Sequence, residues 1–271
     1  MAAQNRSQYR EFSPPPSLSK QILCVWTQKI EEKDGPYCHS ILPDGCVDIV
    51  WIGDMEPMVA GPATHRILAQ LPAGTNVMGA RFQPGWAGSF LGLPAEELLN
   101  QHVSLTEIAH PAARQLSQEV FNYRSESSRL TAIMETLESY LKKEPCIDPA
   151  IQACVTWLVR HPAGRISDLA SQTGLSNRQI RRKFNAAVGY APKTFQRIAR
   201  FQRFLMLSED GPLGVQDLAG LAYVAGYADQ AHMGREVKLL SGDPPQVLLE
   251  NNAVSTLAMF DLFDAQVTRQ N

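Results

Sequence analysis

Residues 226–238 read GYADQAHMGREVK. Asp229, His232, Arg235 and Glu236 fall within this stretch, a set of side chains that could pass for a catalytic acid–base cluster. The same residues could form one face of a helix that lies in a DNA groove. The elements around them weigh on the choice.

Two segments of the C-terminal half share a pattern: ISDLASQTGLSNRQIRRKF from Ile166, and LAGLAYVAGYADQAHMGREV from Leu218. Leu169 aligns with Leu221, Ala170 with Ala222 and Gly174 with Gly226. Past a turn one residue longer in the second copy, Ser176 aligns with Asp229 and Arg182 with Arg235. This is the spacing of a helix-turn-helix. A leucine is buried, an alanine lets the next helix cross closely, and a glycine takes the left-handed conformation that ends the first helix. Ser176 and Asp229 then sit where N-caps belong.

The second helix of the first copy is expected over 177–187, with Ile180 and Phe184 inward. Arg178, Arg181 and Arg182 face outward and Lys183 sits on the flank. In the second copy Gln230, His232 and Arg235 offer donors and acceptors, and Ala231 allows close approach. Arginine suits bidentate contact with guanine or phosphate. The plain alternative is that these are ordinary exposed residues of amphipathic helices. Between the copies, PKTFQRIARFQRFLMLSED reads as one long helix with Phe195, Ile198, Phe201 and Leu205 on its apolar face. Its Arg197, Arg200 and Arg203 either touch phosphate or keep a face solvated.

Charge is segregated in the same sense. The chain of 271 residues has a net charge of −2, yet residues 150–249 hold 12 Lys/Arg against 7 Asp/Glu. From Arg178 to Arg203 there are eight basic residues and no acidic one, which points to a polyanion partner.

The N-terminal half differs in texture. Strands are expected at 21–30, 47–51, 57–60, 65–71 and 75–82, separated by turn signals such as Pro43-Asp44-Gly45, Asp34-Gly35-Pro36 and Pro72-Ala73-Gly74. In the strand after Gly45, Val47, Ile49 and Trp51 point one way and Cys46, Asp48 and Val50 the other. Short helices follow at 93–101 and 104–109, and a longer one over 127–143. Leu130, Ile133, Leu137 and Leu141 form its apolar stripe, fit either for packing on the β-domain or for a dimer contact. Asp148-Pro149 is an N-cap followed by a first-turn proline, and it opens the C-terminal domain. The expected class is therefore α+β: a β-rich barrel or sandwich with flanking helices, then an all-α domain of two helix-turn-helix modules on a linker helix. Residues 1–18 read as a disordered leader, 19–145 as the β-rich domain, 149–250 as the DNA-binding domain and 251–271 as a tail, a candidate helix.

The region from Ala150 to Leu249 resembles the AraC/XylS family of transcription regulators. The residues that carry this are DLASQTGLSNRQIRRKFNAAVGYAPKTFQRIARFQR, then GYADQAH and GDPP. The resemblance implies DNA contacts at Arg178, Arg181 and Arg182 in the first recognition helix, and at Gln230, Ala231 and Arg235 in the second, with His232 near. Ser176, Asn177, Lys183 and Lys193 complete the candidate DNA-binding set. One departure stands out. Family members usually carry an aromatic where this chain has Val237, and Met233 replaces another. The loss of apolar area there is worth roughly 1–1.5 kcal/mol, so a looser second module is expected, unless the tail at 251–271 docks on it. ILPDGCVDIVW, VAGPATH and GARFQPGWAGSFLGLPAEEL resemble the sensor domain of one branch of the family. That implies effector sensing or dimerisation.

Other chemistry finds less support. There is no P-loop, no GxGxxG opening a helix, no GxSxG elbow and no HExxH, so no enzyme activity is expected. Cys24, Cys38, His39 and Cys46 could in principle bind a thiophilic metal or sense thiol chemistry, but Cys spacings of 14, 8, 100 and 8 residues supply no CxxC pair. A small-molecule-processing domain fused to a DNA-binding module is the other alternative. Trp51, His65, Arg66 and Arg81 are candidate effector contacts, with surface or interstrand pairing the simpler account for the charged ones. Expected partners are promoter or operator DNA, RNA polymerase, a small-molecule effector and a second copy of the chain. No cofactor, metal or membrane partner is expected, and an irregular set of five cysteines fits the cytoplasm.

Overall fold

The computed structural model describes residues 8–32, 37–142, 147–210 and 217–250. The 34–36 turn, Cys146 and the 251–271 tail lie outside the described residues.

The chain is α+β in the expected order. Its N-terminal half forms β1 (Gln8–Phe12), β2 (Ile22–Lys29), β3 (Tyr37–Ile41), β4 (Val47–Ile52), β5 (Met58–Ala60), β6 (Ile67–Leu71), β7 (Asn76–Phe82) and β8 (His102–Ser104). Six strands make one antiparallel sheet in the order β1-β2-β7-β4-β5-β8, and β3 pairs with β6 in a separate ribbon. The five strands read from alternation and turn chemistry are all present. β1, β3 and β8 are additions.

β1 corrects the expected leader. Gln8–Phe12 runs antiparallel to β2 from Gln8↔Lys29 to Phe12↔Val25, and Leu18 is fully buried. Its sequence, QYREF, alternates like an edge strand, with Tyr9 and Glu11 turned inward. The three prolines that follow end the strand; they do not signal disorder in the residues before it.

The sheet has two faces, set by the two-residue period of a strand. Val25, Ile49, Trp51, Ala80 and Phe82 pack on α1 (Ala87–Leu91), α2 (Pro111–Glu119) and α3 (Glu126–Leu141). The opposite face, with Trp26, Asp48, Val50, Val77 and Arg81, looks toward the β3–β6 ribbon. The segments at 93–101 and 104–109 hold shorter 3₁₀ turns, Ala95–Leu98 and Leu105–Glu107. The stripe on α3 is used within the chain: Leu130, Ile133, Leu137 and Leu141 all lie in its core.

The C-terminal half is all helix: α4 (Pro149–Arg160), α5 (Asp168–Thr173), α6 (Asn177–Val188), α7 (Pro192–Asp210), α8 (Leu218–Ala225), α9 (Gln230–Ser241) and α10 (Pro245–Glu250). Asp148 caps α4 through the Ala150 N–H, with Pro149 in the first turn. The pairs α5–α6 and α8–α9 are the two helix-turn-helix units. Each turn is made by a glycine in the left-handed region, Gly174 at φ 68° and Gly226 at φ 90°. Both halves share one continuous hydrophobic core. No helix among the described residues is long and apolar enough to cross a membrane.

Candidate nucleic-acid interface and effector cavity

The first recognition helix, α6, is fixed at its start by a complete capping box. Ser176 Oγ accepts from the Gln179 N–H while the Gln179 side chain accepts from the Ser176 N–H. Ile180, Phe184 and Val188 are buried beneath it. Asn177, Arg178, Arg181 and Arg182 are consequently exposed on its outer side. Among the described residues no carboxylate forms an ion pair with these three arginines, nor with Arg235 on α9.

The second recognition helix, α9, begins at the Asp229 cap, which accepts from the His232 N–H at 2.6 Å. Gln230, Ala231 and Arg235 are exposed. His232 is not. Its Nδ1 accepts from the Ala228 N–H at 3.3 Å, its Nε2 lies 3.5 Å from Glu236, and its ring meets Tyr227 edge-on. The histidine braces the turn that presents Gln230 and Ala231.

Two further candidates are tied down. Lys183 Nζ lies 2.5 Å from Asp148, so it links α6 to the cap of α4. Lys193 Nζ donates to Gln196 Oε1 at 3.2 Å, and burial lowers its pKa.

The linker arginines do neither thing expected of them. Arg197 and Arg200 both bond Glu236 at 2.9 Å, and Arg200 also donates to the Pro162 carbonyl at 3.1 Å. Arg203 donates to the Val224 carbonyl at 3.1 Å. They are struts that hold the second module on α7. Burial pushes the Glu236 carboxyl upward, but the two arginines outweigh it and its pKa is lowered. Val237 and Met233, where an aromatic is expected, are both fully buried. At about 1.5 Å per residue, the 19 residues of α7 make a helix roughly 28 Å long.

The N-terminal half holds the other candidate site, a cavity of about 420 Å³ between the large sheet and the β3–β6 ribbon. Its walls are chiefly apolar, and its charged lining residues are Asp44, Asp48 and Arg81. Arg81 and Asp48 are direct cross-strand partners, so the pleat turns both inward. The Arg81 guanidinium bonds Asp48 at 3.0 Å and has Asp44 at 3.5 Å and Glu11 at 3.7 Å. Burial, opposed by Arg81, raises Asp48 to about 6. Burial lowers His39 to about 4 and also lowers His102, so both lining imidazoles are held toward the neutral form.

Of the four effector candidates, Arg81 alone lines this cavity. Trp51 is corrected outright: it sits one residue out of phase, on the sheet face that packs against the helices. Arg66 bonds Asp243 at 2.5 Å across the two halves, and His65 is exposed. The cavity wall also holds Asp48, Asp44, Tyr9 and Trp26, which the sequence did not single out as candidates. Asp48 had a signal, since it alternates with Val47 and Ile49 on a strand.

Cys38 is exposed, while Cys24 and Cys46 are buried and their thiols are pushed up by desolvation. Among the described residues no group of three or more His, Cys, Asp or Glu could hold a metal ion.

The 43–46 turn touches both halves. Gln202 Nε2 on α7 donates to the Pro43 carbonyl at 2.7 Å, while Asp44 and Cys46 line the cavity. Beside the first recognition helix, Glu96 of the 95–98 turn shares a shallow concavity with Arg178, Arg181 and Arg182.

A helix-turn-helix domain model matches residues 169–251, and a model described as a domain of unknown function (DUF6597) matches residues 10–104. No curated relative matches the chain in sequence. Among solved structures, ToxT from Vibrio cholerae is 15% identical with a TM-score of 0.46, covering 90% of this chain and 98% of its own. The unsaturated fatty acid bound form of ToxT is 14% identical with a TM-score of 0.45, covering 95% and 99%. A further ToxT structure is 13% identical with a TM-score of 0.44, covering 93% and 100%. The two left-handed glycine turns, the capped helices and the matched domain agree: the C-terminal half of the chain carries a helix-turn-helix domain of the AraC type.

Proposed function

We propose that the chain is a sequence-specific transcription regulator whose α6 and α9 read adjacent major-groove segments of promoter DNA, and whose N-terminal cavity takes a small-molecule effector. The observation that carries it is the contrast in arginine use. Arg197, Arg200 and Arg203 are spent on internal bonds, whereas Arg178, Arg181, Arg182 and Arg235 are exposed without a carboxylate partner among the described residues. Unpaired guanidinium groups on capped recognition helices fit phosphate and guanine edges. Asp229 and His232 have structural duties in the α9 turn, which speaks against a catalytic cluster there.

The sensor part rests on the cavity and on the turn it shares with α7. RNA polymerase and a second copy of the chain belong to this reading as family expectations. Capture of genomic fragments by the full chain, followed by titration of the recovered DNA, tests it. Arg182→Ala and Arg235→Ala should each weaken binding by about 1–3 kcal/mol per lost base contact. Unchanged binding by both variants refutes the assignment.

A further inference from the structure

The lining of the cavity specifies the charge of what it takes, and this step rests on the sensor reading above. Asp44, Asp48 and, behind them, Glu11 surround the single guanidinium of Arg81, with side-chain exposures of 16%, 15% and 15%. Three carboxylates against one cation leave an excess of negative charge in a largely enclosed, apolar space. Such an excess is costly unless a cation arrives to meet it. The lining histidines do not provide one, since burial favours their neutral forms. An incoming carboxylate finds Arg81 already bonded and meets two anions at the wall, Asp44 and Asp48.

The aromatic lining points the same way. The Trp26 indole lies across Gly79, where a Cβ would come within 2.2 Å of the ring; only glycine lets the indole lie there. Tyr9 stands beside it, ring centroids 5.8 Å apart. Both rings share the cavity wall with Asp44 and Asp48, and electron-rich rings and carboxylates in one enclosed wall favour a desolvated ammonium group. Trp26 is itself 7% exposed and lines the cavity, and its Nε1–H has no acceptor, a buried donor that a ligand could satisfy. Met58, Val50 and Ile52 offer only apolar surface for the rest of the molecule.

We infer that the effector is a hydrophobic cation, an amine carried on an apolar body, whose ammonium group sits against Asp48 and Asp44 beside Trp26 and Tyr9.

Three probes with one tail test this on the full chain: 4-phenylbutylamine, 4-phenylbutanol and 4-phenylbutanoate, titrated by calorimetry at pH 7.5. The amine should bind about tenfold tighter than the alcohol, and the acid weakest of the three. Asp48→Asn should bring the amine within about threefold of the alcohol. Alcohol binding at its original strength in that variant shows that the cavity is still folded. An acid or alcohol that binds as tightly as the amine overturns the charge assignment and leaves the cavity as a binding site. Failure of all three to bind overturns the cavity reading itself.

Discussion

The side-chain amide of Gln202 donates to the backbone carbonyl of Pro43 at 2.7 Å, inside the protein and across the two halves of the chain. Pro43 precedes Asp44, whose carboxylate lies 3.5 Å from Arg81 in the cavity. Tyr190, which precedes α7, is also buried near this turn, and its hydroxyl has no partner. One turn thus borders the cavity and grips the helix that spaces the two recognition modules. Gln202→Leu keeps the bulk and removes the donor, leaving a buried carbonyl unpaired. It should lower the unfolding free energy by about 1–3 kcal/mol in urea titration. It should also shrink any effect of a cavity ligand on DNA affinity, measured by anisotropy, while each binding event persists alone.

Glu236 holds two arginines of α7, and its side chain is 12% exposed. Glu236→Gln leaves both guanidinium groups facing a neutral amide, Arg200 from a buried position. A loss of about 3 kcal/mol is expected by thermal or urea unfolding, with α8 and α9 losing amide-exchange protection first. The sign with pH follows from the lowered pKa. The native carboxyl binds fewer protons than the unfolded one, so its contribution is present above the ordinary glutamate range and fades as pH falls through the folded value. The variant should therefore lose stability less steeply with acid than the parent.

Asp48 titrates in the opposite sense, because burial raises it to about 6 against the pull of Arg81. Below that value the carboxyl is protonated and the cavity carries one negative charge fewer. Affinity for 4-phenylbutylamine should rise by about threefold to tenfold between pH 5 and 7.5. Calorimetry at both pH values checks this. In Asp48→Asn the rise should vanish, and for the alcohol it should be absent throughout.

Glu96 stands in the same concavity as Arg178, Arg181 and Arg182, so a phosphate reaching these arginines meets a carboxylate. Glu96→Gln should raise DNA affinity about twofold to fivefold at low salt, and less at high salt, in gel-shift titrations. Lys183→Ala should do little to sequence preference, because that ammonium group is engaged by Asp148.

The two helix-turn-helix units were legible in the sequence because their rules are local. A leucine, an alanine and a glycine at fixed spacing, then a cap, specify each turn, and Asp148-Pro149 marks the domain start. The strands with clean alternation were legible for the same reason. Trp51 was misassigned although its own strand carried the answer: it is in phase with Val47 and Ile49, and that face meets the helices. Which face encloses a cavity depends on the β3–β6 ribbon, a long-range packing that no local pattern encodes. The linker arginines share that limit. Their helical spacing is visible, but Glu236, 39 positions from Arg197 and 36 from Arg200, becomes their partner only through the fold. β1 was hidden by the prolines that follow it.

Selection of binding sites from random duplex DNA tests the central claim most directly. The parent should recover two half-sites centred about 10 base pairs apart, one helical turn, read by α6 and α9. Arg182→Ala should relax the sequence of one half-site and Arg235→Ala that of the other, each leaving its neighbour intact. Recovery of one half-site alone, or the same sequences from the parent and both variants, would contradict the account.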